Sequence, residues 1–221
     1  MGRIMSKTFI IGLPRTGTTS LCAACVELGL TTAHTAYTIE SFSNAHVIAD
    51  TPVFNDYALL YQRYPDAKFI YLERDLAVWL PSISKLLRRM SGNLFSDKGG
   101  FNDTIKRCFL NTFSGLDYDN LDNFDFLTTC YETHKAKAIA FFEDTQALHV
   151  FLNVSQPHSF AKLCDFLGVD AATTEIIDMP KLNVNGKVTA WNDLKHPLKV
   201  SSTRMGKVDK DADLLTFMQS V

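Results

Sequence analysis

The stretch Gly12–Leu21 reads GLPRTGTTSL. Gly12 and Gly17 have the spacing of a phosphate-binding P-loop, G-x-x-x-x-G-K-[ST]. Thr18 occupies the position of the motif's lysine, and the basic residue of the stretch is Arg15, three places earlier. The stretch therefore predicts a phosphate site whose cation has moved from the end of the loop to its middle.

The surroundings of this loop favour a phosphate site over a plain glycine turn. The loop follows a strand predicted at about 7–11 and opens a helix predicted over 18–27, which is the context that makes the motif credible. Backbone N–H groups at the helix start and the hydroxyls of Thr18, Thr19 and Ser20 would wrap one phosphate, aided by the helix dipole. An enzyme that handles a nucleoside triphosphate also needs a lysine where Thr18 stands. The loop keeps the phosphate cradle and lacks the usual triphosphate-handling cation.

Predicted strands alternate with predicted helices along most of the chain. Further strands are predicted near 45–49, 68–72 and 147–154, and further helices over 53–64, 76–90, 101–144 (interrupted at 114–123) and 156–167. This alternation is typical of a mostly parallel sheet covered on both faces. We therefore predict an α/β fold of the P-loop type, three layers (α/β/α) around a central, mostly parallel sheet. One domain is expected over 1–221, with its core at about 7–168 and an irregular C-terminal segment at about 169–221.

The composition limits the classes of function. Of the 221 residues, 46% are apolar and 21% are charged, which is ordinary for a soluble globular protein. A formal net charge of -2 argues against nucleic acid binding through a broad basic surface. No apolar stretch approaches the roughly 20 residues that span a bilayer, so no membrane span is predicted. Any anion site in this protein must therefore be local.

The cysteines indicate a reducing compartment. There are five of them, an odd number, scattered through segments predicted to be helical. This pattern suits reduced thiols in a cytoplasmic protein better than a disulfide framework. Cys22 and Cys25 form a C-x-x-C, but no second pair and no nearby histidine completes a zinc site, and no metal site is predicted.

Two motifs together carry a resemblance to a known family. Residues 14–20, PRTGTTS, resemble the 5′-phosphosulfate loop of the PAPS-dependent sulfotransferases, which often reads P-K/R-x-G-T-T. The second signature of that family is a strand ending in arginine, with a serine eight residues later. Arg74 follows the predicted strand 68–72, and Ser82 stands at that separation. The resemblance extends over roughly 8–168 and is to the small soluble branch of the family.

The resemblance implies a P-loop sulfotransferase that takes 3′-phosphoadenosine 5′-phosphosulfate (PAPS) as donor and releases PAP. The sulfuryl group would pass to a hydroxyl or amine of a small-molecule acceptor. Arg15 would reach the oxygen that bridges phosphate and sulfate, where negative charge grows as the bond breaks. Arg74 and Ser82 would hold the 3′-phosphate, whereas the plainer alternative for Arg74 is a surface ion pair with Glu73 or Asp75. The implied nucleotide site comprises Pro14, Arg15, Thr16, Gly17, Thr18, Thr19, Ser20, Arg74 and Ser82.

In-line sulfuryl transfer also calls for a base within hydrogen-bond reach of the acceptor. In many cytosolic sulfotransferases this base is a histidine two residues before a proline that begins a helix. Asp50 stands two residues before Pro52, so the resemblance assigns that place to a carboxylate. The alternative is that Asp50 only caps the helix that starts near Pro52. His34, in a loop expected at the same sheet edge, is the competing base or a substrate contact. The predicted catalytic residues are thus Asp50, Arg15 and His34.

Two other functions stay open. One is a P-loop kinase acting on a small metabolite, which Thr18 disfavours, and the other is a non-catalytic protein that binds PAP or PAPS. Many members of the resembled family also carry a late loop, R-K-G-x-x-G, that closes over the nucleotide, and this chain lacks it. The basic residues near that place are Lys195, Lys199, Arg204 and Lys207.

Overall fold

The computed structural model describes residues 6–170, 176, 178–180, 182–184, 187–188, 190–202 and 214–220. Its central sheet consists of β1 (Thr8–Ile10), β2 (Thr32–Ala33), β3 (Val47–Ala49), β4 (Lys68–Leu72) and β5 (His149–Leu152). All of its ladders are parallel, and the strand order is β2-β3-β1-β4-β5. Because β1 is the central strand, the glycine loop that follows it emerges in the middle of the carboxyl edge of the sheet.

The helices described with this sheet are α1 (Thr18–Glu27), α2 (Ile39–Asn44), α3 (Val53–Arg63), α4 (Leu76–Leu94), α5 (Asp103–Thr112), α6 (Phe124–Thr145), α7 (Ser159–Leu167) and α8 (Leu214–Gln219). Four of them begin at side-chain N-caps, which Thr38 supplies to α2, Asp75 to α4, Asn102 to α5 and Asn123 to α6. Each cap satisfies a backbone N–H that has no partner within its own helix.

Alternating side chains of the strands divide the core between the two faces of the sheet. Ile10 and Ile70 point to one face, where they pack with residues of α1 and α7. Phe9 and Phe69 point to the other face and pack with residues of α3, α6 and α8. The predicted fold class, α/β with a parallel sheet between two layers of helices, is confirmed.

A third apolar cluster lies under the glycine loop. It combines residues of α4, α5 and α6 with Leu13 of the loop and Phe54 of α3. Trp79 of α4 is fully buried there, and its ring centroid lies 4.8 Å from that of Tyr131 on α6. The loop is therefore held in place by the packing of Leu13 in this third cluster.

The agreement with the predicted elements is close for the long, regular ones. The predicted bounds of α1 and β4 are those of the structure, and α3 ends one residue earlier than predicted. The loop expected around His34 is flanked by two elements that the sequence does not predict, the two-residue strand β2 and the short helix α2. Helix α7 begins at Ser159, three residues later than predicted.

The C-terminal segment adds an antiparallel pair and covers one edge of the sheet. Strands β6 (Asn183–Val184) and β7 (Lys187–Val188) pair with each other. Thr32 of β2 donates its N–H to Leu198 O at 2.9 Å and accepts from Val200 N at 2.9 Å. The stretch 198–200 thus lies alongside β2 and continues the sheet by a short parallel bridge.

All five cysteines are free and buried. Burial, with a smaller effect of Cys164, raises the pKa of the Cys25 thiol to about 12, so this thiol is protonated at neutral pH. None of the helices in the described ranges is long and apolar enough to cross a membrane.

One buried histidine is held in its neutral form between α3, β4 and α6. His134 Nε2 lies 2.8 Å from Phe54 O, so Nε2 carries a proton and donates it to this carbonyl. Nδ1 then accepts from the Tyr71 hydroxyl at 3.0 Å. Burial lowers the pKa of His134 to about 4; the Phe54 carbonyl opposes this shift and Lys137 adds to it.

We expect His134 to make stability depend on pH between about 6.5 and about 4. In that window the unfolded chain binds a proton at this residue that the folded protein does not, so its contribution to stability falls as the pH drops. The loss amounts to roughly 3 kcal/mol. Urea unfolding of His134→Gln should therefore show a destabilisation relative to wild type that is smaller at pH 4 than at pH 7 by this amount. His158→Asn, at an exposed position, is the control, and a pH-independent effect of His134→Gln would contradict the assignment.

Candidate active site

The glycine loop has an unusual backbone that side chains of the next strand–helix unit hold in place. Arg15 (φ 73°) and Gly17 (φ 108°) are both in the left-handed region. The indole Nε1 of Trp79 donates to Pro14 O at 3.0 Å, and Nη1 of Arg74 donates to Arg15 O at 2.6 Å. Because a left-handed conformation is unfavourable for a residue with a side chain, these two bonds are what keep the turn at Arg15 in this shape.

A cavity of about 770 Å³ opens at the carboxyl edge of the sheet, around this loop. This volume lies within the usual range for small-molecule sites. Every residue that the sequence analysis assigned to the site lines this cavity: Pro14, Arg15, Thr16, Gly17, Thr18, Thr19, Ser20, His34, Asp50, Arg74 and Ser82. The carboxyl ends of β1, β2, β3 and β4, together with α4, bring these residues to one edge of the sheet.

The two predicted motifs contact each other directly. Arg15 Nε donates to Ser82 Oγ at 2.9 Å, so the loop cation is bonded to the serine of the second motif. Together with the bond from Arg74 to Arg15 O, this joins the loop to both residues of that motif. The predicted site for the 5′ side and the predicted site for the 3′-phosphate thus form one continuous cationic surface.

The plainer alternative for Arg74 is wrong. Glu73 pairs with Lys135, Nζ to Oε1 at 2.6 Å, and Asp75 Oδ1 accepts the N–H of Ala77 as the cap of α4. Tyr131 of α6 fixes the backbone at Arg74, since its hydroxyl lies 3.0 Å from Arg74 N. The guanidinium is therefore directed to the loop and the cavity instead of to its acidic neighbours.

Three arginines line the cavity without an acidic partner. Arg15, Arg74 and Arg89 have no carboxylate oxygen within 4.0 Å in the part of the chain that the structure describes. Asp50 and Asp178 also line the cavity, outside that distance. Burial, then the charges of Arg74 and Arg89, lower the pKa of Arg15, and Asp50 opposes the shift. Unpaired cations at this density favour a bound anion with several charges.

Asp50 faces the cavity and does not cap α3. The N-cap of α3 is Pro52, and no side chain caps this helix, so the alternative role of Asp50 is wrong. Asp50 Oδ1 accepts from Thr51 N at 2.8 Å and from Thr51 Oγ1 at 3.2 Å. Oδ2 has no hydrogen-bond donor among the described residues, and the nearest basic atom is His34 Nε2 at 3.9 Å.

His34 contacts the hydroxyls of the loop. Its Nε2 lies 2.9 Å from Thr19 Oγ1 and 3.1 Å from Thr18 Oγ1. Burial lowers the pKa of His34 below its usual value, Asp50 opposes the shift and Lys199 adds to it. The imidazole is therefore neutral at pH 7, and hydroxyl protons of the two threonines can be donated to Nε2.

Several lining or neighbouring residues were missed by the sequence analysis. Arg89 stands seven residues after Ser82, a spacing that could have placed it on the same helix face. Trp191 stacks on His34, with ring centroids 5.8 Å apart and planes at 28°, and no local pattern signals this contact. The apolar part of the lining was also missed; it includes Leu86, Val154, Met179, Pro180 and Leu182.

The late basic residues do not supply a described contact to the cavity. Lys199 Nζ donates to Trp191 O at 2.5 Å and lies 4.7 Å from the Trp191 ring centroid. Lys195 is exposed. Arg204 and Lys207 lie outside the described residues. No group of three or more metal-ligating side chains occurs in the described ranges.

In α/β folds, a glycine loop that opens a helix at the carboxyl edge of a parallel sheet is a common place for a phosphorylated ligand. A family model described as a sulfotransferase domain matches residues 7–45 and 36–188. The match covers most of the chain, so the protein belongs to the sulfotransferase family and is a transferase of sulfuryl groups. Comparison with curated proteins finds no match to this chain.

The left-handed turn gives a testable constraint on the loop. A Cβ at Gly17 would lie 2.5 Å from Val154 Cγ2, whereas one at Gly29 (φ 81°) would meet nothing within 4 Å. Both Gly17→Ala and Gly29→Ala carry the backbone penalty, and only the first adds a steric clash. We expect Gly17→Ala to lower the free energy of unfolding by about 1–2 kcal/mol more than Gly29→Ala does. Urea titrations of the two variants check this, and equal losses would show that Val154 does not restrict the loop.

Proposed function

We propose that this protein transfers the sulfuryl group of PAPS to a hydroxyl or amine of a small acceptor and releases PAP. The observation that carries the proposal is the meeting of the glycine loop with Arg74 and Ser82 at one cavity, where the arginines have no acidic partner among the described residues. A donor with a 5′-phosphosulfate and a separate 3′-phosphate matches this surface, because its two anionic groups need two linked sets of donors.

The charges and hydrogen-bond donors that line the cavity match the anionic groups of the donor. The threonine and serine hydroxyls of the loop and the start of α1 would receive the 5′ side, and Arg74 with Ser82 would receive the 3′-phosphate. The apolar side chains of the lining, among them Leu86 and Val154, would contact the flat base. When bound, PAPS supplies the sulfuryl group, and the bond from sulfur to the bridging oxygen is the one that breaks.

In this proposal Arg15 acts as the electrostatic group of the reaction. Its left-handed backbone and its bond to Ser82 fix the guanidinium before any ligand arrives. A preorganised cation stabilises the growing negative charge without having to move during the reaction. Such electrostatic stabilisation is usually the largest single contribution to the rate. The guanidinium stays protonated throughout and takes no part in proton transfer.

Asp50 is the proposed base, and His34 is a supporting contact. Oδ1 of Asp50 is occupied by Thr51, which leaves Oδ2 as the free acceptor for the proton of the attacking hydroxyl or amine. His34 Nε2 is instead engaged by the hydroxyls of Thr18 and Thr19. We assign it the orientation of these threonines, because a neutral Nε2 that accepts their protons has no proton to give to Asp50 at 3.9 Å.

The proposal includes a cytoplasmic location, one domain over 1–221 and no nucleic acid partner. The five free, buried thiols support a reducing compartment. A net charge of -2 disfavours binding of a polyanion such as nucleic acid. The cationic site is therefore assigned to a small anionic ligand.

The first experiment is calorimetric titration of the purified protein with PAP, with ATP and magnesium, and with adenosine 5′-phosphosulfate. We expect PAP to bind, and adenosine 5′-phosphosulfate to bind about 10- to 100-fold more weakly, because charge-assisted contacts to the 3′-phosphate are lost. Binding of ATP with magnesium but not of PAP would overturn the proposed donor and favour a small-metabolite kinase.

Two variants separate donor binding from proton transfer. Arg74→Ala should weaken PAP binding about 10- to 100-fold, since it removes a charged contact. Asp50→Asn should leave PAP binding unchanged and lower turnover by about 100- to 10,000-fold, the usual effect of losing a general base. Turnover is measured as PAP release with an acceptor found by screening hydroxyl and amine compounds.

Equal losses of binding and turnover in both variants would contradict the separate roles. Undiminished function of Asp50→Asn and His34→Ala would favour a non-catalytic binding protein.

A further inference from the structure

One face of α4 contributes a row of side chains to the cavity. Ser82, Leu86 and Arg89 all line it, and their spacing of four and three residues places them on the same side of the helix. Side chains of a helix lean toward its N-terminus, so the long side chain of Arg89 covers the turn that precedes it, on the side of Ser82. Arg89 therefore extends the cationic surface of Arg15 and Arg74 along α4.

Arg88, the neighbour of Arg89, does not line the cavity. Arg88 pairs with Asp122, which also accepts from Ser84, on a different side of α4. Arg89 has no carboxylate within 4.0 Å among the described residues and is exposed toward the cavity. Its charge also contributes to the lowered pKa of Arg15, after burial and Arg74. Among the described residues, Arg89 is thus a cation without an acidic partner, near Arg15 and in the same cavity as Arg74.

The other two arginines have already used part of their hydrogen-bonding capacity. Arg74 donates Nη1 to the Arg15 carbonyl, and Arg15 donates Nε to Ser82. A terminal phosphate carries nearly two negative charges and three acceptor oxygens at neutral pH. Arg74 and Ser82 alone therefore leave charge and acceptors of such a group uncompensated.

We propose that Arg89 is the third arginine of the nucleotide site and contacts the 3′-phosphate beside Arg74 and Ser82. This inference rests on the proposed function and names a further residue that makes the site prefer a 3′-phosphorylated nucleotide. Arg89 takes no part in the contacts to the 5′ side, which belong to the loop.

The test compares PAP with AMP, which differs from PAP only by the missing 3′-phosphate. Calorimetric titrations are made with wild type, Arg89→Gln and the matched control Arg88→Gln. Arg89→Gln should weaken PAP about 10-fold and change AMP affinity less than about 2-fold, so the preference for PAP falls. Arg88→Gln should leave both affinities unchanged. Arg89→Lys should recover part of the lost preference, because it restores the charge without the fork of donors.

The outcomes separate this inference from the proposed function. Wild type without a preference for PAP over AMP would overturn the proposed donor itself. Wild type with that preference, retained in full by Arg89→Gln, would overturn only the role of Arg89. An equal loss of PAP and AMP affinity in Arg89→Gln would place Arg89 at a part that the two ligands share, which also overturns the assignment to the 3′-phosphate.

Discussion

The site depends on two hydrogen bonds that fix the carbonyl groups of the glycine loop. Trp79 binds Pro14 O and Arg74 binds Arg15 O. In a trans peptide the next N–H points away from a bound carbonyl, so these bonds also set the direction of the loop N–H groups. Tyr131 then ties the backbone of Arg74 to α6 and packs on Trp79. The geometry of the glycine loop is thus set by β4, α4 and α6 as much as by the loop itself.

The concentration of positive charge is local in a protein whose net charge is -2. Three arginines share one cavity, and the charges of Arg74 and Arg89 add to burial in lowering the pKa of Arg15, which reflects repulsion between the cations. A ligand with several negative charges relieves that repulsion and gains charge-assisted hydrogen bonds at the same time. If the proposed donor binds here, the same repulsion favours it over a ligand with one anionic group, which leaves part of the repulsion uncompensated.

Much of the fold and most of the candidate site could be predicted from the sequence. Continuous apolar runs and a glycine loop define β1, α1 and β4, and the arginine and serine that follow β4 have a recognisable spacing. Short elements such as β2 could not be predicted, because two residues stabilised by neighbouring strands carry no pattern of their own. The stacking of Trp191 on His34 depends on how a distant segment returns to the sheet, and no local signal encodes that path.

The way in which α8 completes the core limits when this protein can finish folding. Leu214 and Met218 belong to the same apolar cluster as Phe9, so that cluster joins residues from opposite ends of the described chain. Contacts of such large sequence separation form late, since the loop between them must close first. During synthesis the strands of the sheet emerge long before α8, and their second face stays partly uncovered until the helix leaves the ribosome. A chaperone that shields apolar surface would have its main target there.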